Sequence, residues 1–254
     1  MRRPTGTVFL VGAGPGAPDL ITLRAAEVLE RADIVFHDAL VHPQVLARAC
    51  RAERIAVGKR CGRFATAQQF INKRLVDAAL KHQVVVRLKG GDPMLFGRAQ
   101  EEIAALAEAG VRYEVIPGVT SALAAAAEAG LSLTQRGVAR SVAFVTPRIG
   151  DGLAASSWAA SAAAADTAVI YMGAGQAREI AQTLLASGLP RDQPVLVAES
   201  ATLPEARHVA LTLEELPEIA RYGFAGPTLI MIGQAFAAAL ASSRQRALEK
   251  VARA

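Results

Sequence analysis

The stretch Arg87-Leu88-Lys89-Gly90-Gly91-Asp92-Pro93, followed by Leu95-Phe96-Gly97-Arg98, gathers more chemistry-bearing residues than any other part of the chain. Paired glycines open backbone groups to close approach by a ligand. Asp92 could orient an amino or hydroxyl group, and Pro93 stiffens the turn. The plainer alternative is a strand-to-helix turn with Asp92 as its N-cap, but a cap requires neither two preceding glycines nor a flanking Lys and Arg. Pro117-Gly118-Val119-Thr120-Ser121 offers two hydroxyls that could bind a ligand or cap a helix, and Tyr171-Met172-Gly173 carries a methionine that could pack on adenine or belong to the core. Gly12-Ala13-Gly14-Pro15-Gly16-Ala17 fits the G-x-G-x-x-G/A dinucleotide pattern, with Asp33 near the place of an acidic ribose ligand. Against that reading, Pro15 and Pro18 each delete an N–H from a loop that would have to donate to pyrophosphate. A donor-poor loop suits a ligand without phosphates.

Charge narrows the partners. The net charge is +5, which permits nucleic acid, a membrane surface or an acidic small molecule. Part of the excess sits at Arg2 and Arg3 and in the tail at Arg244, Arg246, Lys250 and Arg253, where solvated ends explain it. The rest gathers near glycine turns, at Lys59, Arg60, Arg63, Lys89, Arg98, Arg136 and Arg140, without interleaved aromatics, so a pocket for carboxylates is expected rather than a phosphate-tracking stripe. Cys50 and Cys61 have no CxxC spacing or histidine set, so no metal is expected. No apolar run reaches the roughly 18 residues a membrane span needs. The apolar start leads into a glycine loop instead of a cleavage site, which predicts a cytoplasmic protein.

These turns need strands and helices to hold them. Short apolar runs (TVFLVG, DIVFHD, RIAV, VVVRLKG, YEVIPG) alternate with helical periods at about Leu20–Arg31, around Val45, and at about Ala67–Lys81 and Arg98–Ala109. That alternation predicts an open, mainly parallel sheet with helices on both faces, and in such sheets ligands sit beyond the carboxyl ends of strands. The pattern breaks at LSLTQRGVARS, which predicts an N-terminal domain over 1–134 and a mixed α/β domain over 135–254. The second holds SVAFVT, TAVIYMG, a helix from about Gln176 to Ser187, PVLVAES, RHVALT, the helix TLEELPEIA and TLIMIG. The alanine-rich LAASSWAASAAAAD reads equally as helix or loop.

Taken together, GAGPG after a strand, Asp38-Ala39-Leu40-Val41, Val57-Gly58-Lys59-Arg60, RLKGGDP, FGR, PGVTS, YMG and GPTLIMIG resemble the uroporphyrinogen-III C-methyltransferases, in register from about Val8 to Gly233. RLKGGDP with FGR is the discriminating signature. The resemblance implies two α/β domains of the tetrapyrrole methylase type with the active site in the cleft between them, in the single-function form. It implies S-adenosylmethionine as methyl donor, S-adenosylhomocysteine as product, a homodimer, and no metal, nucleic acid or membrane. Pro15, Gly90, Gly91, Asp92, Leu95, Thr120, Ser121, Met172 and Ala201 match donor-contacting positions, Asp38 the proton acceptor and Lys59 the proton donor.

The chemistry fits these roles. Electron-rich pyrrole carbons attack a sulfonium methyl unaided, so positioning carries much of the rate, and one base and one acid complete the proton shift. The acceptor is a polycarboxylate, and arginine forks match carboxylates; Arg63, Arg98, Arg136, Arg140 and Arg148 are the candidates. Two departures stand out: Thr134-Gln135-Arg136 replaces the family's Thr-His-Arg, and Thr146-Pro147-Arg148 replaces its Thr-Gly-His. Both bear on acceptor contacts more than on the donor. The expected activity is methylation of uroporphyrinogen III at carbons 2 and 7 to precorrin-2, for sirohaem or cobalamin. Rivals are methylation of a later precorrin, a dinucleotide-dependent oxidoreductase and a basic nucleic-acid binder.

Overall fold

Two sheets carry the chain, and the computed structural model describes residues 6–57, 64–148 and 157–252 of them and their helices. The first unit, Met1–Ser121, holds β1 (Thr7–Gly12), β2 (Ile34–His37), β3 (Glu53–Ala56), β4 (Val84–Lys89) and β5 (Arg112–Ile116). They form a sheet of order β3-β2-β4-β1-β5 in which every neighbouring pair is parallel. Parallel strands need long crossovers, and α1 (Leu23–Glu30), α2 (Pro43–Ala47), α3 (Phe64–Ala79) and α4 (Ala99–Glu108) supply them. The glycine loop does not enter a helix directly, as the first expectation had it: a 3-10 turn at Pro18–Leu20 intervenes, and α1 starts only after Thr22, whose hydroxyl accepts the Ala25 N–H at 3.2 Å.

Alternation along the strands sorts side chains to two faces. Phe9, Val11, Val35, Val86 and Leu88 pack against Ala25, Val28 and Leu29 of α1 and Val45 of α2. Val8, Leu10, Ile34, Phe36 and Val85 meet Leu75 of α3 and Leu106 of α4 on the other face. Each fully buried aliphatic side chain contributes about 1.5–3 kcal/mol, so the faces are fixed in register. Arg87 and Lys89 follow Val85 at intervals of two, which turns them into the same packed face.

The second unit, Ala122–Ala254, contains β6 (Val142–Val145), β7 (Thr167–Ile170), β8 (Pro194–Glu199), β9 (Arg207–Thr212) and β10 (Thr228–Gly233) in the order β6-β7-β10-β8-β9. β6 and β7 are parallel, and the other pairs are antiparallel. One face packs on α6 (Trp158–Ala164), α7 (Ala177–Ala186) and a 3-10 segment at Leu216–Tyr222, through Ala162, Ile180, Leu184, Leu216 and Ile219. The other face packs on Ala122, Ala125 and Ala126 of α5 (Ser121–Glu128) and on Phe236. That burial explains why the unit boundary falls at Ser121/Ala122, ahead of the expected 134/135: α5 belongs by its contacts to the second sheet. The aperiodic stretch that suggested 134/135 is a tight turn, with Gln135 and Ala139 exchanging backbone hydrogen bonds around Gly137. The alanine-rich stretch is helical over Trp158–Ala164. Of the basic tail, Arg244, Arg246 and Lys250 lie in α8 (Ala237–Ala252), with Arg244 and Arg246 exposed, and Arg253 lies outside the described residues. The expected TLEELPEIA helix is a 3-10 segment that begins only at Leu216, with Pro217 in its first turn, after Thr212 has ended β9.

Glu199 fixes the loop before β10. One carboxylate oxygen accepts the Ala225 and Gly226 N–H groups at 2.5 and 2.7 Å, and the other accepts Arg207 Nε at 2.8 Å. Arg207 also donates to the Tyr222 and Gly223 carbonyls and lies 5.0 Å from the Phe224 ring centre. Burial pushes the Glu199 carboxyl up, but the Gly226 N–H, Arg207 and the Ala225 N–H outweigh it, and its pKa lies below the ordinary glutamate value. In the range between the two values the unfolded chain holds the extra proton, so stability rises with pH there. The contribution is complete above about pH 4.3 and is lost as pH falls through the lowered folded value. Glu199→Gln is therefore expected to lower stability at pH 7 and to flatten the loss of urea midpoint between about pH 5 and pH 3; an acid limb as steep as the wild type's would contradict it.

Candidate functional site

Three backbone turns meet beyond the carboxyl ends of β1, β4 and β5. Ala13 N–H donates to the Lys89 carbonyl at 2.8 Å, while Gly14 and Gly91 exchange hydrogen bonds at 3.3 and 2.8 Å. Gly14 and Gly91 both adopt the left-handed region, at φ 79° and 67°, where a side chain would be strained. The third turn closes over them: a Cβ on Gly12 would lie 2.6 Å from Gly118 Cα and N and 2.8 Å from the Gly91 carbonyl oxygen, and one on Gly118 would strike that same oxygen. Asp92 ties the turns together, its Oδ1 accepting the Met94 N–H at 2.8 Å and its Oδ2 the Gly118 N–H at 2.9 Å. Asp92 is not the N-cap of α4; Arg98 holds that position, at φ 56°.

The sequence-predicted residues of this unit fall as follows. Pro15, Gly90, Gly91, Asp92, Leu95, Thr120 and Ser121 all lie, partly exposed, on these three turns. Asp38 ends β2, next in the sheet to β4, with its N–H on the Leu88 carbonyl at 3.1 Å. Lys59, Arg60 and Arg63 lie outside the described residues. Arg98 is not a free carboxylate hook, because Nε and Nη2 each donate to Glu101 at 2.7 Å. Arg87 and Lys89, the flanking cations of RLKGGDP, turn away from the open edge and are each 3% exposed. Both bind Glu102, a fully buried residue in the middle of the apolar stripe of α4: Arg87 Nε at 2.9 Å, Lys89 Nζ at 3.0 and 3.1 Å. Arg87 reaches Asp38 with its other arm. Burial and then Arg87 hold Lys89 below its ordinary pKa; burial pulls Arg87 down, but Asp38 and Glu102 outweigh it and raise it.

Geometry removes the dinucleotide rival's second element. Asp33 precedes β2 and accepts the Gln83 and Val84 N–H groups at 2.9 and 2.8 Å, so it sits at the sheet edge opposite the glycine loop. The loop's Ala13 and Gly14 N–H groups are already spent on the β4 turn. Pyrophosphate would find few donors there.

In the second unit the ends of β6, β7 and β8 share one sheet edge, since β6 parallels β7 and both β7 and β8 run opposite to β10. Met172 is there, 45% exposed at φ 57°, as is buried Ala201, flanked by Ser200 and Thr202 at φ 52° and 71°. Non-glycine residues in that region store strain and gather at functional sites. Ser200 and Thr202 escaped the sequence reading because nothing in their type signals the conformation. A surface pocket of about 690 Å³ opens beside this turn, lined in part by Ser200, Glu199 and Gly226. Tyr171 accepts the Ala122 N–H at 3.2 Å, doing at the start of α5 what a cap would do. Pro147 approaches Gly173, since a Cβ there would lie 3.7 Å from its Cγ, so that departure touches the Met172 turn. Arg148 shares this edge, whereas Arg136 and Arg140 lie on the turn leading into the first residues of β6, at the other edge. Among the described residues there is no His, Cys, Asp and Glu group able to hold a metal ion, and no helix long and apolar enough to cross a membrane.

Comparison with known proteins fits this arrangement of turns. Residues 7–217 match the family model of the Tetrapyrrole (Corrin/Porphyrin) Methylases. The chain belongs to the tetrapyrrole methylases. It is thus a methyltransferase by family, with the two-domain α/β fold of that group. It is 47% identical over 231 residues to a siroheme synthase of Chromobacterium violaceum, matching 90% of this chain and 49% of that protein. It therefore spans about half the length of the curated relatives it matches. Among solved structures, the uroporphyrin III C-methyltransferase of Thermus thermophilus is 41% identical with a TM-score of 0.81, covering 92% of this chain and 100% of that one, and the same enzyme is also known complexed with S-adenyl homocysteine. A cobalt precorrin-4 methyltransferase follows at 28% identity and a TM-score of 0.79, covering 90% of this chain and 95% of that one.

The turn packing is directly testable. Gly118→Ala should force a backbone shift costing about 1–3 kcal/mol, read as a lowered urea midpoint. Gly175→Ala, where an added Cβ meets nothing within 4 Å, should stay within about 0.5 kcal/mol of wild type.

Proposed function

We propose that this chain methylates uroporphyrinogen III at carbons 2 and 7, with S-adenosylmethionine as donor, to give precorrin-2 for sirohaem or cobalamin. The observation that carries the reading is the convergence of the Gly12–Pro15, Gly90–Asp92 and Gly118–Ser121 turns at one sheet edge, with glycine contacts too close for side chains and few N–H groups left for a phosphate. Identity of 41% to the Thermus thermophilus enzyme over its whole length supports it. The donor supplies a methyl group on a sulfonium. On the resemblance, Pro15, Gly90, Gly91, Leu95, Thr120 and Ser121 are the donor contacts proposed for the first unit, Met172 and Ala201 those proposed for the second, and Asp92 also fixes the turns.

A ring carbon of the acceptor forms the new bond to the methyl carbon as the carbon–sulfur bond breaks, and the sulfur keeps the electron pair. The ring system, now cationic, loses a proton to Asp38 and becomes neutral; where the conjugation then shifts, Lys59 gives a proton at one ring position as another leaves a second position for solvent. Asp38 ends β2, beside the β4 turn in the sheet, with its carboxylate 31% exposed. Arg148, which shares a sheet edge with Met172 and Ala201, and Arg98, which also pairs with Glu101, stay candidates for the acceptor's carboxylates. Arg63, Arg136 and Arg140 remain in the proposal on the resemblance, as do the cytoplasmic location and the homodimer.

Anaerobic incubation of the protein with uroporphyrinogen III and S-adenosylmethionine, followed by mass spectrometry, should give a product heavier by two methyl groups. No gain with uroporphyrinogen III but methylation of a later precorrin would move the acceptor along the pathway. Thermal stabilisation by NAD and not by S-adenosylhomocysteine would overturn the donor assignment.

A further inference from the structure

The strand that delivers the glycine turn also delivers a charge network that the donor-binding roles do not use. Val85, Arg87 and Lys89 share one face of β4, and the two cations lie beneath α4 where the neighbouring positions of that face are apolar. Burying two cations in such surroundings requires opposite charge. Glu102 supplies one negative charge and Asp38 the other, so the four groups balance.

The four are not held equally. Glu102 is fully buried and accepts Arg87 Nε, Lys89 Nζ and, at 3.3 Å, Gln68 Nε2. Arg87 spends Nε on Glu102, Nη1 on the Leu88 carbonyl at 3.2 Å and Nη2 on Asp38 Oδ1, so every nitrogen of its planar fork is committed. Gly97 closes over the third member: a Cβ there would lie 3.0 Å from Lys89 Cε. Asp38 alone of the four reaches the exposed edge, pinned through Oδ1, and among the described residues Oδ2 makes no hydrogen bond. A rigid fork on one carboxylate oxygen fixes the direction in which the other points.

We propose that Arg87 is a positioning residue for Asp38, aiming its second carboxylate oxygen, and that buried Glu102 is the anchor that keeps Arg87 still. The proposal rests on Asp38 being the proton acceptor. It separates the two halves of the RLKGGDP signature: Gly90 to Pro93 shape the turn, while Arg87 and Lys89 act from behind the sheet on the residue that ends β2.

The test is a cycle of Arg87→Lys, Asp38→Asn and the double variant, with steady-state kinetics in S-adenosylmethionine and uroporphyrinogen III and with S-adenosylhomocysteine affinity as the folding check. Lysine keeps the charge and loses the fork. Arg87→Lys should lower kcat about tenfold or more, leave the donor's KM and the S-adenosylhomocysteine Kd within about threefold, and add no further loss to Asp38→Asn. An unchanged kcat in folded Arg87→Lys, or losses that multiply in the double variant, overturns the positioning role and leaves Asp38 as base intact. Full activity in Asp38→Asn overturns both. If Arg87→Lys does not fold, Glu102→Gln, which leaves Arg87 in place but weakens its anchor, should show the same kcat-only loss, and wild-type kcat in it overturns the proposal.

Discussion

Backbone approach at the glycine turns is the constraint on which the rest depends. Gly12, Gly91 and Gly118 come from the ends of three different strands; a methyl group on Gly12 or Gly118 would strike the other and the Gly91 carbonyl oxygen, and Gly91 needs its left-handed φ. Close packing of that kind allows no gradual adjustment, because interiors are already at crystal-like density. The order β2-β4-β1-β5 places the three turns and Asp38 side by side along one edge. Asp92 then locks the arrangement electrostatically, one oxygen on its own turn and one on the Gly118 amide.

Behind those turns the molecule carries an unusual interior. Most of the face between the first sheet and its second helix layer is apolar, yet Arg87, Lys89 and Glu102 lie within it. Breaking such a set by removing one charge typically costs about 3–5 kcal/mol, whereas replacing all of it by apolar groups is often neutral. Stability alone therefore does not explain its presence. Among the described residues its member that reaches solvent is Asp38, which ties the cost of burying charge to the edge where the turns converge.

Much of this was legible in the sequence, and what was not has physical causes. The parallel sheet followed from apolar runs of strand length separated by helical periods, and the turns from glycines at strand ends. The alternation that buries Arg87 and Lys89 was also there to be read, since they continue the face of Val85; their charge drew attention to ligands instead. The pairing of Arg98 with Glu101, one helical turn away, was not legible because the sequence could not orient that surface. Asp33 sat at the right distance along the chain but at the wrong end of β2. The division at Ser121/Ala122 was read instead at 134/135 because α5, rich in alanine, looks like any crossover helix until its contacts with Val169, Leu196 and Met231 are seen. The left-handed Ser200 and Thr202 had no signal in residue type at all.

The central claim is that the methyl donor sits on the turns at the carboxyl ends of β1, β4 and β5. Hydrogen–deuterium exchange with and without S-adenosylhomocysteine tests it most directly. Peptides covering Gly90–Leu95 and Gly118–Ser121 should exchange more slowly with the ligand, while those covering Asp33 and Gln83 at the opposite edge should not change. Protection confined to the opposite edge, or none at the glycine turns under saturating ligand, would contradict the account.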